Sequence, residues 1–249
     1  KPPEDVNERL LGSAAIRFAK TLGNKLQRRY DQYLHVENKP FVIALADFHA
    51  PSSMIWSREA LICYLYGMFP EVSEVEGRRI ALAASVTHLL GPTGFPAGLF
   101  RNNEHSRLSA VIFSNACSIA KFNRVGISAG AIAKGLRYVR FGEFFDRTPG
   151  ALVGVPFCLD ITSADYRALW PQGYEPWAAE LEVFHNPYAR HPLPRELVPE
   201  ATHWYEYDGE IMCEAYYETS ILWSKTIIQN DTDEMPKFDD FQFQSDVET

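Results

Sequence analysis

The sequence predicts an α/β fold with a central mixed, partly parallel sheet flanked by helices, a long insertion and an irregular C-terminal region. A continuous apolar run at residues 41–46 and a second segment at 108–113, apolar except for Ser109, have the length of strands. Such runs are typical of parallel strands that are buried on both faces. A stripe of apolar residues at helical spacing precedes the first run. We therefore expect two neighbouring parallel strands with helices packed against them.

The composition is that of a globular chain with an acidic balance. Of its 249 residues, 46% are hydrophobic and 13% are aromatic, and the formal net charge is -8. We expect a single domain over residues 1–249, with its core mainly in 10–190 and an acidic tail at 230–249. The negative charge excludes a general attraction to nucleic acid or to anionic membranes, so any such affinity requires a local basic face.

The chain carries no local signal for export or for a membrane span. No apolar run approaches the roughly 20 residues that cross a bilayer, and the start, KPPED, lacks the pattern of a secretion signal. The four cysteines are widely separated and form no CxxC pair. We expect a cytoplasmic protein. Because the chain begins without methionine in a Pro-rich segment, we also expect that its natural N-terminal portion is missing.

Residues 10–33 are predicted to form an amphipathic helix, because apolar residues from Leu11 to Tyr33 recur at helical spacing. No acidic residue occurs between Arg9 and Arg29. The strongest basic stripe in the chain is formed by Arg17, Lys20 and Arg28, on the face opposite the apolar stripe, and by Lys25 on the border of that face. We interpret this stripe as a candidate nucleic-acid-binding surface. The alternative is a solvated helix face, which exposed lysines and arginines commonly form.

Further elements follow along the chain. A helix is expected from about residue 57 to 66, ended by Gly67. Residues 68–106 are interpreted as an excursion from the core, and residues 116–124 fit either a helix or a loop. Strands are expected at 136–145, 180–184 and, more weakly, 210–217.

Polar residues lie at the ends of three predicted strands, where binding sites of open α/β sheets gather. We expect them to converge on one edge of the sheet and to form a candidate pocket, whose members are Asp47, His49, Ser114, Asn115, Arg124, His185 and Asn186. The cation and the hydroxyl and amide groups suit a phosphate or a carboxylate. The alternative is structural: Asp47 caps a turn and Arg124 pairs with one of the many acids.

A metal hydrolase that uses Asp47, His49 and His185 is a further hypothesis, because carboxylate and imidazole suit several divalent ions. The sequence contains no GxSxG, P-loop, HExxH or GxGxxG motif. The templates for serine hydrolases, nucleotide binding and zinc proteases therefore lack their local parts.

Three segments resemble those of an uncharacterised bacterial protein family: KPFVIALADFHAPSSMIWS (39–57), LSAVIFSNACSIAKFNRVG (108–126) and EVFHNPYA (182–189). This family is similar to the PD-(D/E)XK nuclease-like fold, in which an Asp and a strand-borne Glu-x-Lys bind a divalent metal ahead of a helix and another strand. The resemblance implies that residues 10–34 are that helix and 41–47 the following strand. The catalytic motif is not seen before residue 10.

The resemblance implies a nuclease-like domain, incomplete or inactive in this chain, that acts on or binds nucleic acid. If an upstream segment supplies the motif, a bound divalent metal would activate water against a phosphodiester. The alternative is a noncatalytic binding module for a small anion or a partner protein, as part of a bacterial defence or mobile-element system.

Overall fold

The computed structural model describes residues 5–241, except for 49–52, 54–55, 76–77, 92–93, 115–117, 147, 149–153 and 218–219. The chain divides into two compact units. The first comprises Lys1–Cys117 and Ala178–Tyr216, and the second comprises Ser118–Trp177 and Tyr217–Thr249.

Three helices belong to the first unit: α1 (Val6–Leu11), α2 (Ser13–Gln27) and α3 (Ser57–Tyr66). Gly67 ends α3 in the left-handed region, at φ 63°, which glycine adopts without steric cost. A Cβ at this position would lie 2.7 Å from Nε of Arg101. The predicted end of this helix is confirmed.

The first unit also contains a five-stranded mixed sheet. In spatial order its strands are β1 (Val42–Ala46), β4 (Ala110–Ser114), β7 (Leu181–His185), β8 (Thr202–Tyr207) and β9 (Glu210–Glu214). The β1/β4 and β7/β8 pairs are parallel, and the β4/β7 and β8/β9 pairs are antiparallel. The sheet is flanked by helices, so the predicted mixed, partly parallel architecture is confirmed.

Strands β1 and β4 are neighbours and run parallel, as predicted, but they are not equally buried. In β4, four of the five residues are buried. In β1, Ile43 is buried whereas Ala44 and Ala46 are exposed. The expectation that β1 is buried on both faces is wrong, because β1 lies at the edge of the five described strands. A second apolar cluster surrounds Ala110, Val183 and Ala201, and Val42 of β1 packs against it.

The apolar stripe of α2 packs into the core of the first unit. Ala15, Phe18, Leu22 and Leu26 are all buried there, and the Phe18 ring meets the Phe113 ring of β4 edge to face, with centroids 6.0 Å apart. The helix predicted over residues 10–33 is wrong at both ends: α1 ends at Leu11, Gly12 separates it from α2, and α2 ends at Gln27. The chain beyond that residue leaves the core.

The predicted excursion contains a two-stranded antiparallel hairpin, β2 (Met68–Val75) and β3 (Arg78–Ser85). The chain then returns towards β4 through irregular structure. Arg101 ties this returning segment to the C-terminal end of α3, because its guanidinium donates to the carbonyl oxygens of Tyr66 at 3.0 Å and Gly67 at 2.7 Å.

The second unit is built on a three-stranded antiparallel sheet with the order β10 (Ile221–Asn230), β5 (Leu136–Phe144) and β6 (Val155–Asp160). Helices α4 (Ile119–Ser128) and α5 (Ala164–Ala168) complete it. The predicted strand at 136–145 is confirmed, and the segment left open between helix and loop is α4. In the acidic tail, the Phe241 ring stacks on the Phe141 ring at 3.8 Å.

The packing of α2 yields a stability prediction. Leu22→Ala removes a fully buried side chain from the core and is expected to lower the free energy of unfolding by about 2–5 kcal/mol. Leu34→Ala is the matched control, because Leu34 is 89% exposed, and a change within about 0.5 kcal/mol is expected. Urea unfolding measures both. A loss below about 1 kcal/mol for Leu22→Ala would contradict the placement of α2.

Candidate nucleic-acid interface

The predicted pocket does not form at one edge of the sheet. Ala46 pairs with Ser114, so Asp47 and Ser114 lie at the same end of β1 and β4, and both are buried. His185 pairs with Ala110 at the other end, because β7 runs antiparallel to β4. The expectation of a shared edge is therefore wrong for His185 and for Asn186, which follows it. A metal site that includes both Asp47 and His185 is wrong for the same reason, because the two residues lie at opposite ends of the sheet.

Two members of that pocket, His49 and Asn115, lie outside the described residues. The Asp47 end of the sheet is occupied by internal contacts. Ser53 Oγ donates to the backbone oxygen of Asp47 at 3.5 Å. Asp47 and Ser114 are buried at this end, and residues 49–52 and 115–117, which follow the two strands, lie outside the described residues.

A buried carboxylate that the sequence did not single out, Glu182, lies at the same end of the sheet, opposite Phe113. It accepts hydrogen bonds from Arg58 at 3.3 Å and from the indole nitrogen of Trp204 at 2.7 Å. Burial disfavours the charge of Arg58, but the nearby carboxylate of Glu182 outweighs it and raises the pKa of the guanidinium. Glu182 thus ties α3 to β7 and β8.

At the other end of the sheet, the side chain of His185 is hydrogen-bonded to that of His203. Its Nε2 lies 2.8 Å from Nδ1 of His203, whose Nε2 lies 3.0 Å from the carbonyl oxygen of Val198. A carbonyl oxygen only accepts, so Nε2 of His203 carries a hydrogen and its Nδ1 accepts from His185. Burial, with the nearby charges of His203 and Arg195, lowers the pKa of His185 to about 4. The pair is therefore neutral at pH 7.

The side chain of Asn186 is hydrogen-bonded to the backbone of three other residues. Its side-chain nitrogen donates to the backbone oxygens of His105 at 3.1 Å and Leu108 at 2.8 Å, and its side-chain oxygen accepts from the Tyr188 amide at 3.0 Å. Every polar atom of this buried side chain faces backbone. Asn186 connects the segment before β4 to the turn after β7.

Arg124 belongs to the second unit, where it is buried in an ion network. Its Nε and Nη2 donate to the two carboxylate oxygens of Glu175 at 2.9 and 3.0 Å. Glu175 also accepts from Lys121 at 2.6 Å and from the Tyr166 hydroxyl at 2.5 Å. Arg140 lies 3.5 Å from the same carboxylate. The alternative reading of Arg124, pairing with an acid, is the one that the structure shows.

This network keeps Glu175 ionised. Burial opposes the negative charge, but the guanidinium groups of Arg140 and Arg124 outweigh that cost and hold the pKa of the carboxyl well below its usual range. The stabilisation is therefore present above the ordinary carboxyl pKa and is lost as the pH falls below it.

The network also sets the orientation of α4. This helix buries Lys121 and Arg124, whereas Ile119 is 79% exposed and Phe122 is 62% exposed. The Phe122 ring lies 5.3 Å from that of Trp177. Because the cations occupy the inward face, an apolar surface remains on the outer face of the helix.

The basic stripe of α2 is exposed, opposite the buried stripe of the same helix. Its four members, defined here as the α2 basic face, are Arg17, Lys20, Lys25 and Arg28. Within the described parts of the chain, none of them forms an ion pair with a carboxylate. Their charges are therefore available to a ligand.

The chain turns sharply after α2 and presents three aromatic rings. Arg29 adopts the left-handed region at φ 53°, and the rings of Tyr30, Tyr33 and His35 follow. The Tyr30 and Tyr33 centroids are 6.0 Å apart, and Tyr33 and His35 are stacked at 5.7 Å with 20° between their planes. Tyr33 is 52% exposed, although its spacing had placed it on the apolar helix stripe. We call these three residues the aromatic turn.

A cleft of about 470 Å³ opens beside the aromatic turn. Four of its lining residues are cations and two are acids; these six, with which we define the arginine cleft, are Arg29, Lys39, Arg107, Arg190, Asp31 and Glu37. Asp31 accepts from Arg107 at 3.3 Å and lies 3.5 Å from Nε of Arg29. The sequence did not indicate the cleft, because Arg107 and Arg190 are remote from α2 along the chain.

A scan of protein-family models, a search of curated proteins and a search of solved structures find no match to this chain. Within the residues that the structure describes, no group of three or more His, Cys, Asp or Glu side chains is arranged to hold a metal ion. None of the described helices combines the length and apolarity needed to cross a membrane.

The buried network yields a prediction for the second unit. Glu175→Gln removes the negative charge that balances Arg124 and Arg140. It leaves these buried cations beside a neutral amide. A loss of about 3–5 kcal/mol in the free energy of unfolding is expected. Glu234→Gln, at an exposed position of the same unit, should change it by less than about 0.5 kcal/mol. Equal unfolding midpoints in urea for the two variants would contradict the structural role of Glu175.

Proposed function

We propose that this chain is the nucleic-acid-binding part of a nuclease-like domain and that the α2 basic face contacts the phosphate backbone. The exposure of Arg17, Lys20, Lys25 and Arg28 on one acid-free helix face carries the proposal. The opposite face of the helix is held in the core, so the cations are presented on a rigid element. Contacts of this kind position a protein on a nucleic acid without reading its sequence.

The charge of the whole chain sets the character of this binding. A chain with a net charge of -8 has no general attraction for phosphate, so binding is confined to locally positive faces. Binding through a few lysines and arginines releases counterions, so the affinity falls steeply as salt is added. We expect weak, salt-sensitive binding with little preference for sequence.

The nuclease-like part of the proposal rests on the resemblance of the three segments to a family similar to the PD-(D/E)XK fold. The order of α2 followed by β1 agrees with the helix and strand that succeed the catalytic strands in that fold. Hydrolysis with a divalent metal requires an Asp and a strand-borne Glu-x-Lys ahead of the helix, and this motif is not seen before residue 10. The residues described here supply the contact surface in this proposal.

A second candidate is a noncatalytic module that binds a partner protein. The outward apolar surface of α4, with Ile119, Phe122 and Trp177, favours it, because exposed apolar clusters commonly mark protein interaction sites. The two candidates differ in what is lost when the α2 basic face is removed, since only nucleic-acid binding depends on that face.

The test changes all four cations of the α2 basic face to glutamine and measures binding of labelled DNA and RNA by fluorescence anisotropy across a salt series. The slope of log affinity against log salt should become shallower by about 3, because each lost phosphate contact removes about 0.7–0.9. The dissociation constant at low salt should rise at least about ten-fold.

A control variant carries the same total charge. It changes four cations on other elements to glutamine, namely Lys134, Arg167, Arg195 and Lys237, and its salt slope should stay close to that of the parent. Equal slopes for the parent and the α2 variant would refute the helix as the contact surface. Absence of binding by the parent at low salt would refute the proposed function and favour the partner-protein candidate.

A further inference from the structure

The aromatic turn has the properties of a platform for unpaired bases. Tyr33 and His35 are nearly parallel and stacked, and half of the Tyr33 surface is open to solvent. The turn is held in place, because the amides of Val36 and Glu37 both donate to the backbone oxygen of Tyr33 at 2.7 and 2.8 Å. An exposed ring fixed in this way can receive another flat ring without a large loss of freedom.

Positive charge surrounds the platform. Nζ of Lys25 lies 5.9 Å from the centre of the Tyr30 ring, and Arg28 donates to the Tyr30 hydroxyl at 3.1 Å. Nζ of Lys39 donates to the backbone oxygen of His35 at 3.0 Å. The aromatic turn therefore follows Arg28 of the α2 basic face and is followed by Lys39 of the arginine cleft.

The arginine cleft has the composition expected of a site for an anion. Arg107 and Arg190 reach it from the segments beside β4 and β7, and Arg29 and Lys39 reach it from the two ends of the turn. The carboxylate of Asp31 partly neutralises the positive charges of Arg107 and Arg29. The lining still contains four cations and two carboxylates, so the cleft has a net positive charge. A phosphate group matches the guanidinium groups in charge and geometry.

We propose that the aromatic turn and the arginine cleft together bind single-stranded nucleic acid, with a base stacked on Tyr33 and a backbone phosphate in the cleft. This inference rests on the proposed function and names its substrate class. An aromatic ring beside a positively charged groove is the usual means by which proteins hold single strands. Stacking tolerates any base, because every base has a flat face.

The inference predicts a preference that the α2 basic face alone does not produce. Phosphates of single strands and of duplexes both attract cations. In a duplex, however, the bases are already stacked on their neighbours and do not reach Tyr33 unless the helix is opened, which costs a few kcal/mol. The aromatic turn should therefore favour a single strand over a duplex of equal length.

The experiment compares a thymidine oligonucleotide of about 12 nucleotides, within the usual site size of single-strand-binding folds, with a duplex of equal length. Fluorescence anisotropy gives the dissociation constants for the full chain. Tyr33→Ala should weaken single-strand binding at least about five-fold and leave duplex binding within about two-fold. Tyr33→Phe retains the ring and should bind the single strand within about two-fold of the parent.

Two further variants locate the effect. Tyr207→Ala removes a tyrosine that is 70% exposed elsewhere in the first unit, and it should leave both dissociation constants unchanged. Arg190→Gln removes one cation of the arginine cleft and should make the salt slope for the single strand shallower by about 0.7. Urea unfolding midpoints equal to that of the parent show that each variant is folded.

The outcomes separate this inference from the function on which it rests. Equal affinity of the parent for single strand and duplex, or unchanged single-strand binding by Tyr33→Ala, overturns the inference while the proposed nucleic-acid binding stands. Loss of binding in Arg190→Gln with no effect of Tyr33→Ala also overturns it, because the cleft then acts as an anion site without the platform. No binding of either oligonucleotide by the parent overturns both proposals.

Discussion

The packing of α2 against the sheet is the interaction on which the other features of the first unit depend. A helix of this length buries one stripe, and here Leu22 and Phe18 fill it, with Phe18 edge to face against Phe113. The same packing leaves the cations outside, because they lie on the opposite face. It also directs the chain after Gln27 away from the core, where the aromatic turn forms before the chain enters β1.

The second unit depends on a different constraint, a carboxylate buried among cations. Removing Glu175 and its partners from water is costly, and the cost is offset only when the hydrogen bonds are well formed. Lys121 and Arg124 both come from α4, so the network fixes the rotation of this helix. As a result α4 exposes Ile119 and Phe122 while it buries two cations, whereas α2 buries apolar residues and exposes its cations.

The sequence predicted the parts of the fold that short-range patterns encode. The apolar stripe of α2, the strand-length apolar segments of β1 and β4 and the strand β5 all follow from the spacing of nearby residues. The direction of β7 does not, since an apolar strand reads alike in either direction, and this misplaced His185 relative to Asp47. Helical spacing also continues past Gln27, where α2 ends, so the sequence predicts Tyr33 on the apolar stripe although its side chain is exposed.

The candidate site was predictable only in its helical half. The α2 basic face is a local pattern and was found, whereas the arginine cleft draws Arg107 and Arg190 from distant segments that meet only in the folded chain. Glu175 gave no sequence signal, because a lone acid in a loop has no periodicity. The inference that the aromatic turn and the arginine cleft bind a single strand is tested by hydrogen exchange of the full chain with and without a saturating thymidine oligonucleotide. Slower exchange is expected in peptides covering residues 28–39, with no change in those covering β10. Protection confined to other segments, with residues 28–39 unchanged, would contradict the inference.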